Sequence, residues 1–468
     1  MNKDKYFLKN TAIFALGNVG TKLINFFLVP LYTYVLTTEQ YGMVDFAFSC
    51  AALIEPIIMC NIGEAVMRFL MDRTEDENEV ASTALVFILG GIFLGLVCIP
   101  VFYAVPTLRP FAVQSYLYVV LFATHLVVLY YLRGKEQLMQ YTMCSLLTTF
   151  LIGLFNILFL VGFHWGVQGY FRAYNLAYLI VIIVAIVWGK EYTVVQHFHL
   201  NRDLTRKMFR FSIALVPNAM LWWMVNSSDR IMVTAMQGVS VNGLYTVSYK
   251  IPSLLTMASG IFMQAWTYSA VREKQLNASD DYSNQMFQKL FFFMAMVSGG
   301  LLFGLKFAFR VLFAPDYFIA WSYAPPLILG FFLMAMSTFV GTSYYVEKNT
   351  VGTMLSALSG AVINVILNFI LIPSYGALGA SIATCISYFV ILLYRLVDTR
   401  RYLPIHILKP RLLANLFLLL LMTVSIYSGN QIWNVLLLGE LLALLAVNLP
   451  FLKELLQMAT QLVHKKVD

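Results

Sequence analysis

The sequence predicts an all-α polytopic membrane protein of about fourteen transmembrane helices. They form two six-helix lobes in parallel repeat, with two helices appended. Three observations predict it. First, 60% of the 468 residues are hydrophobic, only 12% are charged and the mean hydropathy is +0.76, whereas a soluble domain carries about 25% charged residues. So few charges cannot build a water-facing surface, and so much apolar content excludes disorder. Second, the apolar residues gather into fourteen stretches. Third, part of the first half recurs in the second.

The stretches run over 10–36, 43–62, 81–105, 113–132, 138–162, 167–188, 211–235, 243–270, 288–311, 323–346, 351–373, 377–396, 412–428 and 432–452. At about 20 residues per crossing, fourteen spans use about 280 residues and leave only short loops. Pro30, Pro56, Pro217, Pro252 and Pro325–Pro326 are positions where helices can break. The apolar run from residue 10 follows a short basic segment with no small-residue cleavage pattern, so it is expected to stay as the first span. With the N-terminus in the cytoplasm, 24 Lys and Arg fall on the inside, 3 on the outside and 4 within spans. That asymmetry places both termini inside.

The repeat lies in residues 156–178 and 368–388. Asn156 pairs with Asn368, Gly166 with Gly376, Gly169 with Gly379, Ala173 with Ala383 and Tyr178 with Tyr388. A weaker echo sets Gln40-Tyr41-Gly42 against Val241-Asn242-Gly243. Both place spans six apart in register, hence a parallel 6 + 6 repeat with the substrate path between the halves. The expected organisation is an N-lobe over 1–200 that ends in a basic cytoplasmic linker, a C-lobe over 201–400, and spans 13 and 14 with the tail over 401–468.

Ionisable side chains at bilayer depth cost about 2.5–3.5 kcal/mol each on insertion scales, so they face a partner or a wet cavity. Lys22 lies about 18 Å from either end of span 1, at 1.5 Å per residue. Lys250 is in span 8, Arg172 in span 6 and Arg230 in span 7. Lysines and arginines from both halves suit a cavity for an anionic head group. The competing reading is internal pairing, for example Lys22 with Asp45 or Glu55. Asp45, Glu55 and Asp229 are the candidates for coupling to a proton or sodium ion. Glu440 belongs to the appended pair, and His125 reads as a satisfied core histidine. Met71–Glu79 reads as a solvated acidic loop. Gly91–Gly95 and Gly300–Gly304 read as intramolecular packing sites. The five cysteines show no metal or disulfide spacing, and His197 and His199 lack further ligands. No nucleotide loop, catalytic triad, nucleic-acid signature or cofactor motif is present, and no outer loop is large enough for a membrane glycosyltransferase.

Leu8–Lys22, Leu28–Leu36, Glu39–Gly42, Asn61–Ala65 with Arg68-Phe69, Ser228-Asp229-Arg230, Gly243–Tyr245, Tyr249-Lys250, Asn364, Asn368, Pro373, Gly376 and Gly379-Ala380 together resemble polysaccharide repeat-unit flippases of the Wzx type. These belong to the multidrug/oligosaccharidyl-lipid/polysaccharide exporter superfamily. The resemblance implies a MATE-like V shape and alternating access. It implies flipping of an undecaprenyl-diphosphate-linked oligosaccharide from the inner to the outer leaflet of a bacterial plasma membrane, for capsule, exopolysaccharide or O-antigen assembly alongside polymerase machinery. It implies a cationic lumen, to which Lys22, Lys250, Arg172, Arg230 and Arg68 are assigned. The alternative within the superfamily is a cation-coupled multidrug exporter.

Overall fold

A computed structural model describes residues 20–97, 99–189, 198–275, 280–347, 349–401, 403–405, 409–428, 431–454 and 457. Among these residues every regular element is helical. The chain divides into two compact units, Met1–Leu244 and Tyr245–Asp468. The expected opening of span 1 before residue 20, Cys98 and His197 lie outside the described residues.

In the first unit, helix α1 is described over 20–35, followed by α2 (Thr38–Ile58), α3 (Ile62–Asp72), α4 (Glu77–Val97), α5 (Ile99–Ala104), α6 (Ala112–Gly134), α7 (Leu138–Asn156), α8 (Gly166–Gly189), α9 (Arg202–Ile213) and α10 (Val216–Gln237). Helix α11 (Val239–Ser248) crosses the boundary between units. The second unit continues with α12 (Ser253–Gln275), α13 (Asp280–Leu312), α14 (Ala324–Val346), α15 (Thr350–Asp398), α16 (Pro410–Ser425) and α17 (Gln431–Val447). The described residues of each of the fourteen apolar stretches lie mainly on helix. Among the described residues nine helical runs are long and apolar enough to cross a membrane, with shorter apolar helices at Ser253–Met263, Pro410–Ser425 and Val435–Val447. The tally is below fourteen because three expected spans fall on these shorter helices, Thr350–Arg401 holds two expected spans bent at Gly376, and residues before 20 are not described.

Local chemistry explains the boundaries. A reciprocal capping box starts α2: Gln40 N donates to Thr37 Oγ1 at 3.2 Å, and Thr37 N donates to Gln40 Oε1 at 3.1 Å. Pro56 comes within two residues of the end of α2, where Cys60 and Asn61 both take left-handed φ (49° and 55°) and turn the chain into α3. Pro217 and Pro325–Pro326 occupy first-turn positions of α10 and α14, where no N–H is missed, and Pro252 sits in the break between α11 and α12. Pro30 lies mid-helix in α1, and Pro373 lies within α15, three residues before the bend at Gly376.

The first unit packs α6 and α7 on α8, with α3 against α6 and α10 against α2. Its centre is aromatic: Phe48 stacks on Tyr118 at 4.0 Å, and Tyr118 on Phe122 at 5.7 Å. His125 is buried with Nε2 3.0 Å from Thr148 Oγ1, but its Nδ1 has no hydrogen-bond partner among the described residues, so it is only half satisfied. The second unit is organised around α14, where Ile328, Phe332, Met336 and Phe339 have no accessible surface. A helix apolar all round is a buried helix. Ser425 Oγ donates to Glu440 Oε1 at 2.7 Å, tying α16 to α17.

Three sequence expectations change. Residues 63–80 are not loop throughout, because they include α3. The acidic run is not simply solvated: Glu77 pairs with Lys135, Glu75 Oε1 lies 3.2 Å from Lys207 Nζ, and Asn201 Nδ2 donates to Glu79 Oε2 at 2.8 Å. Gly91 and Gly95 are packing sites against Met59 and Tyr116, but nothing described lies within 4 Å of a Cβ built at Gly300 or Gly304.

The repeat is visible in the backbone of each unit. Gly166 and Gly376 both take positive φ, 51° and 58°, which favours glycine over any L side chain. A Cβ on Gly169 would lie 3.2 Å from the carbonyl oxygen of Phe159, and a Cβ on Gly379 would collide with that of Leu371. Phe159 and Leu371 are equivalent by the Asn156–Asn368 register. Asn156, Asn368, Ala173 and Ala383 are all fully buried.

Candidate functional site

Two small residues and one buried ion pair mark a close helix crossing in the first unit. Gly42 on α2 and Gly243 on α11 stand where the other helix's backbone passes. A Cβ at Gly42 would strike the carbonyl oxygen of Val239, and one at Gly243 would strike that of Thr38. The same 201-residue shift relates Thr38 to Val239 and Gly42 to Gly243. The crossing is therefore a pseudo-two-fold contact between corresponding segments of the two sequence repeats, and it is the structural meaning of the weaker echo. Thr38 Oγ1 and Ser240 Oγ, 2.6 Å apart, close its rim.

One turn further along α2 the symmetry is broken by charge. Asp45, 8% exposed, accepts a hydrogen bond from Arg230 Nη1 at 2.9 Å and one from Asn242 Nδ2 at 3.4 Å. Asn242, fully buried, also donates to Gly42 O at 3.2 Å. Asp229, fully buried, accepts the backbone N–H of Arg230 at 2.9 Å. Trp223 Nε1 donates to Ser49 O at 2.9 Å, fixing α10 along α2. A charge pair in a low-dielectric setting is tolerable because both members are paired and further hydrogen-bonded. Chemically, the cluster holds three helices together by contacts that can be made and unmade without breaking covalent or secondary structure.

Lys22 is exposed on α1 and makes no ion pair among the described residues. The alternative pairing of Asp45 with Lys22 is replaced by Asp45 with Arg230. Glu55 is half-buried on α2. Lys250 is half-buried in the turn between α11 and α12, and its carbonyl accepts from Ser253 Oγ at 2.7 Å. Arg172 is exposed on α8 with its guanidinium 4.7 Å from the Trp165 ring centre, a cation–π distance. Arg68 is exposed and pairs with Asp72 at 3.2 Å along α3. Lys306 and Arg310 rest over the rings of Trp321 and Phe318 at 4.3 and 5.7 Å. Sequence reasoning missed Asn242, Trp223 and the mutual glycine contact as parts of one site. The echo of Gln40–Gly42 in Val241–Gly243 was the signal that contained two of them.

The family model described as polysaccharide biosynthesis protein matches residues 7–268. No curated protein matches the sequence. Among solved structures, lipid II flippase MurJ in an inward closed conformation superposes with a TM-score of 0.70 at 14% identity, over 95% of this chain and 100% of that one. An inward-facing multidrug resistance MATE family transporter of the MOP superfamily gives 0.63 at 14% identity, over 83% and 94%. A MATE structure in complex with MaL6 gives 0.57 at 16% identity, over 85% and 95%. At such identities the likeness is one of fold, and the structures that share it include a lipid flippase and a multidrug resistance transporter.

Proposed function

Because the chain belongs to the polysaccharide biosynthesis protein family, we propose that it flips undecaprenyl-diphosphate-linked oligosaccharide repeat units from the cytoplasmic to the outer leaflet of a bacterial plasma membrane. Both termini are then cytoplasmic. The observation that carries this reading is the end-to-end correspondence with a lipid flippase, 95% of this chain against 100% of that one. The two MATE structures align over only 83–85% of this chain.

The physics of the cargo fits. A polyprenyl tail stays in hydrocarbon throughout, whereas a diphosphate and sugar hydroxyls cannot cross it unassisted. Fixed cations replace the hydration that the diphosphate loses. In this reading Lys22, Lys250 and Arg172 supply that charge along the path, one or more from each repeat of the 1–200 and 201–400 lobes. Arg68 meets the anion on the cytoplasmic side. Glu55 takes up the coupling proton or sodium ion. Arg230, Asp45, Asp229 and Asn242 form a closure that opens and re-forms as access alternates. Lysines give weak, releasable point-charge contacts, which suits a cargo that must leave.

The test is Lys22→Ala and Lys250→Ala in cells that require the exported glycan. Each lost charged hydrogen bond is worth about 1.5–3 kcal/mol, so export should fall by about tenfold or more while lipid-linked repeat units accumulate inside. Normal surface polysaccharide at normal expression of both variants would contradict the cationic path.

A further inference from the structure

We propose that α9 is a binding face for anionic phospholipid head groups, formed by the row Arg202, Arg206 and Arg210. This site is independent of which cargo the protein moves.

The argument begins with spacing. At about 100° per residue, positions four apart drift by only about 40°, so the three arginines form one stripe. Leu204, Met208 and Ser212 form another, and all three are buried. The two stripes are centred about 160° apart. Thus α9 packs its Leu204–Met208–Ser212 side against α3 and α4 and turns its arginines away from the protein. Lys207, between the stripes, is already committed to Glu75. Arg202, Arg206 and Arg210 are exposed and have no acidic partner among the described residues.

Two further observations distinguish a lipid face from a solvated one. Ile213 lies on the arginine side and is 39% exposed, and Phe209 on its border is 41% exposed. Apolar side chains held among arginines suit the boundary between head groups and acyl chains better than bulk water. In addition, only Ala214 and Leu215 separate α9 from α10, the helix that carries span 7. Arg210 is therefore within about two turns of an apolar span. Arg206 and Arg202 follow at about 6 and 12 Å along the axis, at 1.5 Å per residue, which covers the depth of a head-group layer. Guanidinium forks match phosphate oxygens bidentately. Phosphodiester-bearing anionic lipid is the occupant this geometry takes.

The test uses the full-length protein in nanodiscs of equal phosphatidylglycerol and phosphatidylcholine, with native mass spectrometry of the lipids that stay bound on release. The wild type should retain phosphatidylglycerol preferentially. Each arginine near an anionic surface contributes about 1 kcal/mol, so Arg206→Gln should lower that preference about fivefold. Arg202→Gln/Arg206→Gln/Arg210→Gln should abolish it. The same three positions changed to Lys should keep most of it, and Arg400→Gln, on an exposed site in the other unit, should leave it unchanged. A wild type with no preference for phosphatidylglycerol, or a triple Gln variant that matches it, overturns the proposal. Should the triple variant not fold, Arg206→Gln alone decides: an unchanged preference overturns it.

Discussion

The two copies of the helix–turn–helix repeat agree at their backbone turns and differ in most side chains, one of which is the charge of Arg172. In the first unit, Gly166 turns the chain at φ 51° and Gly169 lets α8 approach Phe159. In the second, Gly376 turns it at φ 58° and Gly379 lets α15 approach Leu371. Asn156 and Asn368 are buried at matching positions, as are Tyr178 and Tyr388. Yet Arg172, lying over Trp165, stands where the second copy has Ile382. What both copies keep, the fold needs. What one copy alone carries is free to serve function. The repeat thus acts as an internal control that separates scaffold from cargo handling.

The strongest way to break the comparison is at its tightest contact. Gly379→Ala places a methyl against the carbonyl of Leu371, a backbone atom that cannot swing aside, and should cost about 2–3 kcal/mol. Gly169→Ala meets the Phe159 carbonyl at 3.2 Å and Trp165 Cβ at 2.9 Å and should cost about 1–2 kcal/mol. Thermal unfolding of the two variants in detergent measures the order, and equal or reversed losses would contradict the closer approach at Gly379. Next come the turns. Gly376→Ala forces a side chain into φ 58°, ψ −141°, worth about 1–3 kcal/mol. Gly166→Ala, at φ 51°, should cost about 1–2 kcal/mol. The smallest structural effect is expected at the divergent position. Arg172→Ile copies the second repeat into the first and should shift stability by under about 0.5 kcal/mol, as an exposed substitution does, while glycan export falls. Unchanged export would return Arg172 to the scaffold.

A second comparison sets two ion pairs against each other. Asp45–Arg230 is nearly enclosed, with side chains 9% and 22% exposed, whereas Arg68–Asp72 is 61% and 42% exposed. Arg230→Ala leaves a buried carboxylate without its partner and should cost about 3–5 kcal/mol. Arg68→Ala should cost about 0–1 kcal/mol. Comparable losses in a thermal unfolding series would mean that the α2–α10 cluster is wetter than its burial suggests.

Much of this fold was legible because a bilayer enforces it: apolar stretches of span length must become helices, and glycines at backbone contacts leave a register that survives when side chains drift. Helix α3 escaped notice because it is short and carries Glu64, Arg68 and Asp72, so no hydropathy window marks it. The partner of Asp45 escaped for a different reason. Arg230 lies 185 residues away, and nothing local in either segment encodes which cation reaches which carboxylate. Charge balance alone allowed Lys22 equally well. Arg172 was singled out from its depth in a span, but its ring partner Trp165 becomes evident only once the turn at Gly166 folds the chain back.

The most direct measurement is transbilayer movement of a lipid-linked oligosaccharide by the purified protein. In proteoliposomes loaded on one leaflet with an undecaprenyl-diphosphate-linked repeat unit, lectin capture on the other side reports arrival. The account predicts protein-dependent arrival, reduced about tenfold or more by Lys22→Ala. Arrival no faster than in protein-free vesicles, with a cationic dye transported instead, would contradict it.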